Sequence, residues 1–300
     1  MKHKRAVEEA ELIDTLCDND FTSDDSQLAH DAHVATTIHD KAIQQMQSAR
    51  VTVSADELQS AELILSKVIA GLAKKINDSN SLKEWFEKLI DAEVGKNEPL
   101  VNGNKRMLAQ RVATCWNSDF ACLQSYLSLY PIVEQLTGVQ HLKLQSFILN
   151  ASQLSLAKEL CHILAILEEP TRLFSQAEVP LIADVIPMFL EIRQALECAS
   201  KDENLPSILR IAAQASILVC DKYFTLTGEC EVYFIAIAMS PDKKLEWFAK
   251  KNFPANVVQE IHDLVIHRWE VSYKHLQAAS SSSRISTNPQ PLVSLNFFII

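Results

Sequence analysis

Glycine is scarce in this chain, at 5 of 300 residues. Turn-rich β folds and phosphate-binding loops need glycine where the backbone takes positive φ values, so neither can account for much of the sequence. Apolar residues instead recur at intervals of three or four positions, which places them on one face of an α-helix. The sequence therefore predicts a mainly α fold: a multi-helix array with no complete β-sheet core.

Serine and proline residues predict where several helices begin and end. Ser54 and Glu57 form an S-x-x-E capping box, in which each side chain bonds a backbone amide of the first turn. The apolar residues Leu65 and Val68 belong to the face of the helix that follows. Similar patterns give further boundaries: a second capping box at Ser81 and Glu84, a helix over 105–130 that stops near Pro131, a helix that ends at Pro170, and one that begins at Ser240-Pro241.

Charge is concentrated at the start of the chain. Residues 1–40 hold 10 of the 38 acidic residues but only 3 of the 28 basic ones. Such a segment cannot bury enough apolar surface to offset the entropy of ordering. We therefore predict a disordered acidic arm over 1–50, an all-helical domain over 54–276, and a flexible Ser- and Pro-rich tail over 277–300. Beyond the arm the charge is close to neutral, so no broad basic face for DNA is expected.

The 7 cysteines show no C-x-x-C pairing, and most lie among apolar residues. This distribution is typical of buried free thiols in a reducing compartment. An acidic run, rather than an apolar stretch, follows Met1–Arg5, so no signal peptide is predicted. No window approaches the ~20 apolar residues of a membrane span. We expect a protein of the nucleus or cytoplasm with no membrane partner.

Three stretches, in order along the chain, resemble segments of the hAT family of DNA transposases. RVATCWNSDFACL at 111–123 resembles the family's TRWNS-x-x-x-ML segment. LCHILAILEEPT at 160–171 is similar to its L-x-x-IL…T run. KYF at 222–224, followed by IAIAMSPDKKLEWF at 235–248, resembles its KYY…IA-x-x-LDPR-x-K segment. Order and spacing agree across most of the predicted helical domain.

The resemblance implies a truncated relative of these enzymes. In the family, an all-helical domain is inserted into a ribonuclease-H-like core, and the match lies mainly in that insertion. The two Asp and one Glu that bind the catalytic metals in the family have no counterpart in the matched stretches. We therefore expect no enzymatic activity, no metal and no cofactor, in a protein located in the nucleus.

The resemblance also gives a candidate DNA-binding set of Trp116, Asn117, Ser118 and Arg111. Trp116 matches the tryptophan that the family is implied to stack on a flipped base as a DNA hairpin forms. Cys115 stands where the family has an arginine, so one cation is missing. Trp116 could instead be a core or half-buried packing residue, and we favour packing because a large aromatic on a helix most often packs.

Histidines and carboxylates offer two alternative sites. His30, His33 and His39 could bind a metal, but they lie in the acidic arm without a fixed fourth ligand. Glu168 and Glu169 form a carboxylate pair that could perform acid–base chemistry. A solvated linker and a polar helix end are the simpler interpretations, and we favour them.

Lysines 243, 244, 250 and 251 surround Trp247 and Phe248. This cluster could contact a nucleic-acid backbone. We favour a solvated lysine face with the two aromatic rings in the core.

The sequence thus favours a catalytically incomplete, transposase-derived protein that binds transposon-end DNA weakly. One alternative is a helical protein–protein interaction module, which would use apolar surface that faced the core in the full-length relatives. Another is a fragmentary gene model without activity of its own.

Overall fold

The computed structural model describes residues 25–112, 116–176 and 181–275. Their regular secondary structure is helical, with no β-strand, so the prediction of a mainly α, multi-helix fold is confirmed. No helix in these three ranges is long and apolar enough to cross a membrane.

The α-helices of the described residues are, in chain order, α1 (Asp25–Ser48), α2 (Ala55–Leu63), α3 (Ala70–Asn77), α4 (Asn80–Val94), α5 (Trp116–Ser128), α6 (Tyr130–Thr137), α7 (Ala151–Ala165), α8 (Glu168–Phe174), α9 (Val185–Lys201), α10 (Ser207–Gly228), α11 (Glu231–Met239), α12 (Lys244–Lys250) and α13 (Ala255–Ser272). A π-helical turn, Ile64–Ile69, joins α2 to α3. Short 3₁₀ turns lie at Gln140–Leu142, Gln145–Phe147 and Ile182–Asp184.

The chain divides into two compact units, whereas the sequence predicts one helical domain over 54–276. Of the described residues, the first unit comprises those up to Glu169 together with Cys198–Ala215. The second comprises the described residues between Pro170 and Glu197 and those from Ser216 to His275. Periodicity along a sequence locates helices, but it does not say which apolar faces meet, and this is why the division was missed.

Residues 25–48 form helix α1, so the prediction of a disordered arm over 1–50 is wrong for this part. Ile38, Ala42 and Met46 are spaced four apart and lie on one face of α1. Ala42 and Met46 are buried. Burial of this face stabilises the helix despite its acidic composition. The rest of the predicted arm, residues 1–24, and the predicted tail over 277–300 lie outside the described residues.

The π-helical turn changes which residues face the core of the first unit. Ile64 and Ile69, five positions apart, are 2% and 0% exposed. The predicted face places Leu65 and Val68 inward, but both are only partly buried. The π turn holds more residues per turn than an α-helix, so it rotates the apolar face by part of a turn. Beyond it, Leu72 is buried as the spacing predicts.

One of the two predicted capping boxes is present. The Glu57 amide donates to Ser54 Oγ at 3.2 Å, and the Ser54 amide donates to Glu57 Oε2 at 2.8 Å. The second box is wrong, because Ser79 caps α4 by accepting from the Leu82 amide at 3.4 Å. Ser81 Oγ lies 3.1 Å from Ser79 Oγ.

Two prolines that the sequence predicts at the ends of helices lie instead in the first turns of helices. Residues 105–112 are not helical, and Pro131 lies in the first turn of α6. Pro170 likewise lies in the first turn of α8, after α7 has ended at Ala165. Proline is tolerated there because the amide that it lacks would have no partner inside the helix.

Residues 95–112, which follow α4, form an irregular strap that packs on the first core. Leu108 is 2% exposed, and Asn77 Nδ2 donates to its backbone oxygen at 3.2 Å. The Ala109 amide donates to Ser125 Oγ on α5 at 2.9 Å. These contacts bring residues 111–112 to the start of α5.

The second unit has its own aromatic core. Phe248, on α12, is completely buried and packs edge-on against Phe253, with ring centroids 5.4 Å apart. Phe234 stacks on Phe248 from α11 at 6.2 Å. Ile237 and Ile261 complete the buried set with Ile186.

The predicted helix start at Ser240-Pro241 is also wrong. Ser240 Oγ donates to the Asp242 carboxylate instead of capping a helix, and α12 begins only at Lys244. Lys244 has a φ of +55°, in the left-handed region that disfavours a residue with a Cβ. A strained turn therefore joins α11 to α12.

Candidate functional site

The candidate DNA-binding residues lie where the strap meets α5. Trp116 is the first residue of α5 and is half-buried, and Asn117 beside it is exposed. Among the described residues, the partly buried side chains that pack on the first core do not include Trp116. Its indole therefore keeps accessible surface. Cys115, which stands where the family has arginine, lies outside the described residues.

Arg111 reaches this site from the strap and is held by an ion pair. Its Nε donates to Asp119 Oδ1 at 2.7 Å, and the two side chains are 29% and 20% exposed. Asp119 follows Trp116 by three positions, so the two lie on the same face of α5. The structure thus pairs the Arg111 guanidinium with a carboxylate that lies on the same face of α5 as Trp116. This carboxylate compensates the charge of Arg111, and no sequence motif predicts the pairing.

Ser118 has a positioning role in this arrangement. Its Oγ accepts from the Val112 amide at 2.7 Å and donates to the Val112 backbone oxygen at 2.9 Å. These two bonds fix the end of the strap against the first turn of α5. Ser118 is therefore engaged with the backbone rather than presented outward, in contrast to Asn117.

A second candidate site is an apolar groove within the second unit, between α8 and α9. Its volume is about 410 Å³, within the range of ligand pockets. One wall is an i, i+3, i+4, i+7 stripe on α9, a spacing that puts its members on one helix face. The lining residues are Pro170, Thr171, Phe174, Ser175, Val185, Met188, Phe189 and Ile192.

The groove is apolar because few polar groups line it and one of them, Ser175, bonds the backbone nearby. Ser175 Oγ donates to the Thr171 backbone oxygen at 2.6 Å. Phe189 packs edge-on against Phe224 on α10, with centroids 6.3 Å apart, which fixes the floor. Phe174 remains 41% exposed at the opposite wall. A surface of this kind binds apolar groups and offers little to a charged ligand.

The lysine cluster over 243–251, which includes α12, is mostly solvated, as predicted. Lys244, Lys250 and Lys251 are exposed, and Phe248 is buried. Lys243 differs, because its Nζ lies 2.9 Å from Asp184 Oδ1 and 3.0 Å from Asp242 Oδ2. Its side chain is 15% exposed, so this lysine holds the turn before α12 in place.

The alternative acid–base pair lies at the start of α8. Glu168 and Glu169 are exposed in the first turn of α8. In the part of the chain that the structure describes, no three His, Cys, Asp or Glu side chains are grouped to hold a metal ion. The side chains of His30 and His33 lie outside that part.

No family model matches the chain, and no curated protein or solved structure matches it. The likeness to hAT transposases therefore rests on the three stretches of sequence alone.

Proposed function

We propose that the chain is a transposase-derived helical module of the hAT kind, located in the nucleus, that binds nucleic acid weakly through Trp116. The observation that carries this proposal is the half-buried indole of Trp116 at the first position of α5, on the same face of that helix as Asp119, which pairs with Arg111. An indole can stack on a base that has left the duplex.

The charges around Trp116 lead us to expect that the site binds DNA weakly. The arginine is compensated by Asp119, and a single aromatic side chain offers one stacking contact. Affinity for DNA depends mainly on cations that replace the counterions of the phosphates. The proposed site therefore favours an unpaired or flipped base over an intact duplex.

The test is fluorescence anisotropy of a labelled DNA hairpin at low and moderate salt. Stacking contributes about 1–3 kcal/mol per base, so Trp116→Ala should weaken binding roughly 5- to 150-fold. Trp269→Ala is the matched control, since Trp269 on α13 is also partly exposed, at 44%. Equal losses in both variants, or equal affinity of the wild type for hairpin and plain duplex, would refute the stacking site.

A second candidate function is a helical protein-interaction module, and the groove between α8 and α9 favours it. An amphipathic helix of a partner protein could lay its apolar face between the two walls, as in helix-in-groove recognition. Met188 on the α9 wall is flexible and can adapt to different side chains.

The groove can be tested with amphipathic helical peptides selected from a display library against the full chain. Phe174→Lys should reduce the affinity of the selected peptides at least tenfold, because a charged group would stand on one wall. Ile266→Lys on α13 is the matched control, as Phe174 and Ile266 are 41% and 46% exposed. Failure to select any peptide, or equal effects of both substitutions, would exclude this function.

A further inference from the structure

We infer that Asp119 determines the specificity of the Trp116 site by masking Arg111 from phosphate. The inference rests on the proposed nucleic-acid function and concerns the same site. Asp119 sets how strongly the affinity of the site depends on the charge of the ligand. No sequence motif singles out this residue.

The geometry fixes the guanidinium on the carboxylate rather than leaving it to sample solvent. Arg111 is not on a flexible loop end, because Ser118 holds the next residue, Val112, by two hydrogen bonds. From this anchored position Nε lies 2.7 Å from Asp119 Oδ1. The carboxylate takes the Nε donor and offsets the positive charge that would attract a phosphate.

The consequence for binding is that the Arg111–Asp119 pair carries no net charge. A phosphate beside Trp116 meets the carboxylate as well as the guanidinium, so attraction and repulsion offset each other. Stacking then dominates, and binding depends little on salt. Replacing the carboxylate by an amide keeps an acceptor for Arg111 Nε but releases one positive charge toward the ligand.

The experiment measures hairpin-DNA affinity of the full chain against salt concentration for wild type and Asp119→Asn. We expect tighter binding at low salt and a steeper logarithmic salt dependence, by about 0.7–0.9, the value for one added phosphate contact. Glu134→Gln, which removes an exposed carboxylate on α6, controls for the overall change in charge. Circular dichroism shows whether each variant is folded.

A double-mutant cycle identifies the cation. In an Arg111→Gln background, Asp119→Asn should no longer change the salt dependence beyond the effect of Glu134→Gln. If Asp119→Asn changes nothing in an otherwise wild-type chain whose binding still requires Trp116, masking is wrong and the stacking function stands. If neither wild type nor Asp119→Asn binds the hairpin, both the function and the masking fail.

Discussion

Gly71 on α3 lies directly against the ring of Phe147. A Cβ at this glycine would stand 2.9 Å from Phe147 Cε1, closer than side chains tolerate. Phe147 is only 3% exposed, so its ring has little space into which to move. The two elements approach this closely because glycine has no side chain.

Gly71→Ala should therefore destabilise the protein. Overpacking of a well-packed core costs about 1–3 kcal/mol, and the better helix propensity of alanine returns up to about 1 kcal/mol. We expect a net loss of about 1 kcal/mol in the free energy of unfolding, measured by urea denaturation. Adding Phe147→Leu should make the cost of Gly71→Ala smaller; strictly additive effects would contradict the contact.

The carboxylate of Glu93 predicts a pH dependence of stability. Its side chain is 1% exposed, and Lys96 Nζ lies 2.5 Å from Oε2, while the Leu100 amide donates to Oε1 at 3.2 Å. The bond from Lys96, and then that from the Leu100 amide, holds the pKa of Glu93 below its ordinary value. A depressed pKa stabilises the fold above the unfolded-state pKa, and this contribution disappears as pH falls through the folded-state pKa.

Midpoints of urea denaturation, measured from pH 7 down to pH 3, test the pH dependence expected from Glu93. Glu93→Gln should lower the midpoint at pH 7, and the difference from wild type should shrink in acid. Glu84→Gln, which changes an exposed carboxylate on the same helix, should leave the profile unchanged. A constant difference across the whole range would show that the charge of Glu93 is not what stabilises the strap.

Lys244→Gly should stabilise the turn before α12. A residue with a Cβ costs about 1–2 kcal/mol at positive φ, and the greater freedom of glycine in the unfolded chain offsets about half of that gain. We expect an increase of roughly 0.5 kcal/mol in the free energy of unfolding. Lys250→Gly, at the last residue of α12, relieves no positive φ and should not stabilise the protein. Destabilisation by both would argue against strain at Lys244.

The cysteines should differ in reactivity toward iodoacetamide at pH 8. Burial raises the pKa of Cys122 to about 12 and that of Cys220 to about 11, so both remain protonated thiols that react slowly. Cys198 is exposed and should be labelled first among the cysteines that the structure describes. Peptide mapping by mass spectrometry resolves the sites, and unfolding in urea should abolish the difference. Rapid labelling of Cys122 in the native protein would contradict its burial.

Local patterns in the sequence predict the helices well and their boundaries less well. Ser54 and Glu57 form the predicted capping box because both partners of a cap lie within one turn. The sequence predicts helix ends at Pro131 and Pro170, although proline fits the first turn of a helix equally well. Leu72 is buried as periodicity predicts, whereas Leu65 and Val68 pack on the core only partly buried, because no local pattern predicts the π-helical turn.

The candidate sites, too, could be predicted only in part from the sequence. The resemblance singles out Trp116 and Arg111, and the structure places both at the start of α5. The ion pair with Asp119 could not be predicted, because it depends on how the strap between α4 and α5 folds back. The groove requires the approach of α8 to α9, which no spacing within either helix specifies.

The π-helical turn at Ile64–Ile69 also constrains how this gene can change. Loss of one codon from this turn would place Ile64 and Ile69 four positions apart, the spacing at which two residues share a face of an uninterrupted α-helix. Leu72 and Ile76 would then keep their places in the core, and Gly71 would still face Phe147. Single-codon deletions should therefore be tolerated within this turn and selected against within α3, where each would rotate the rest of the helix by about 100°.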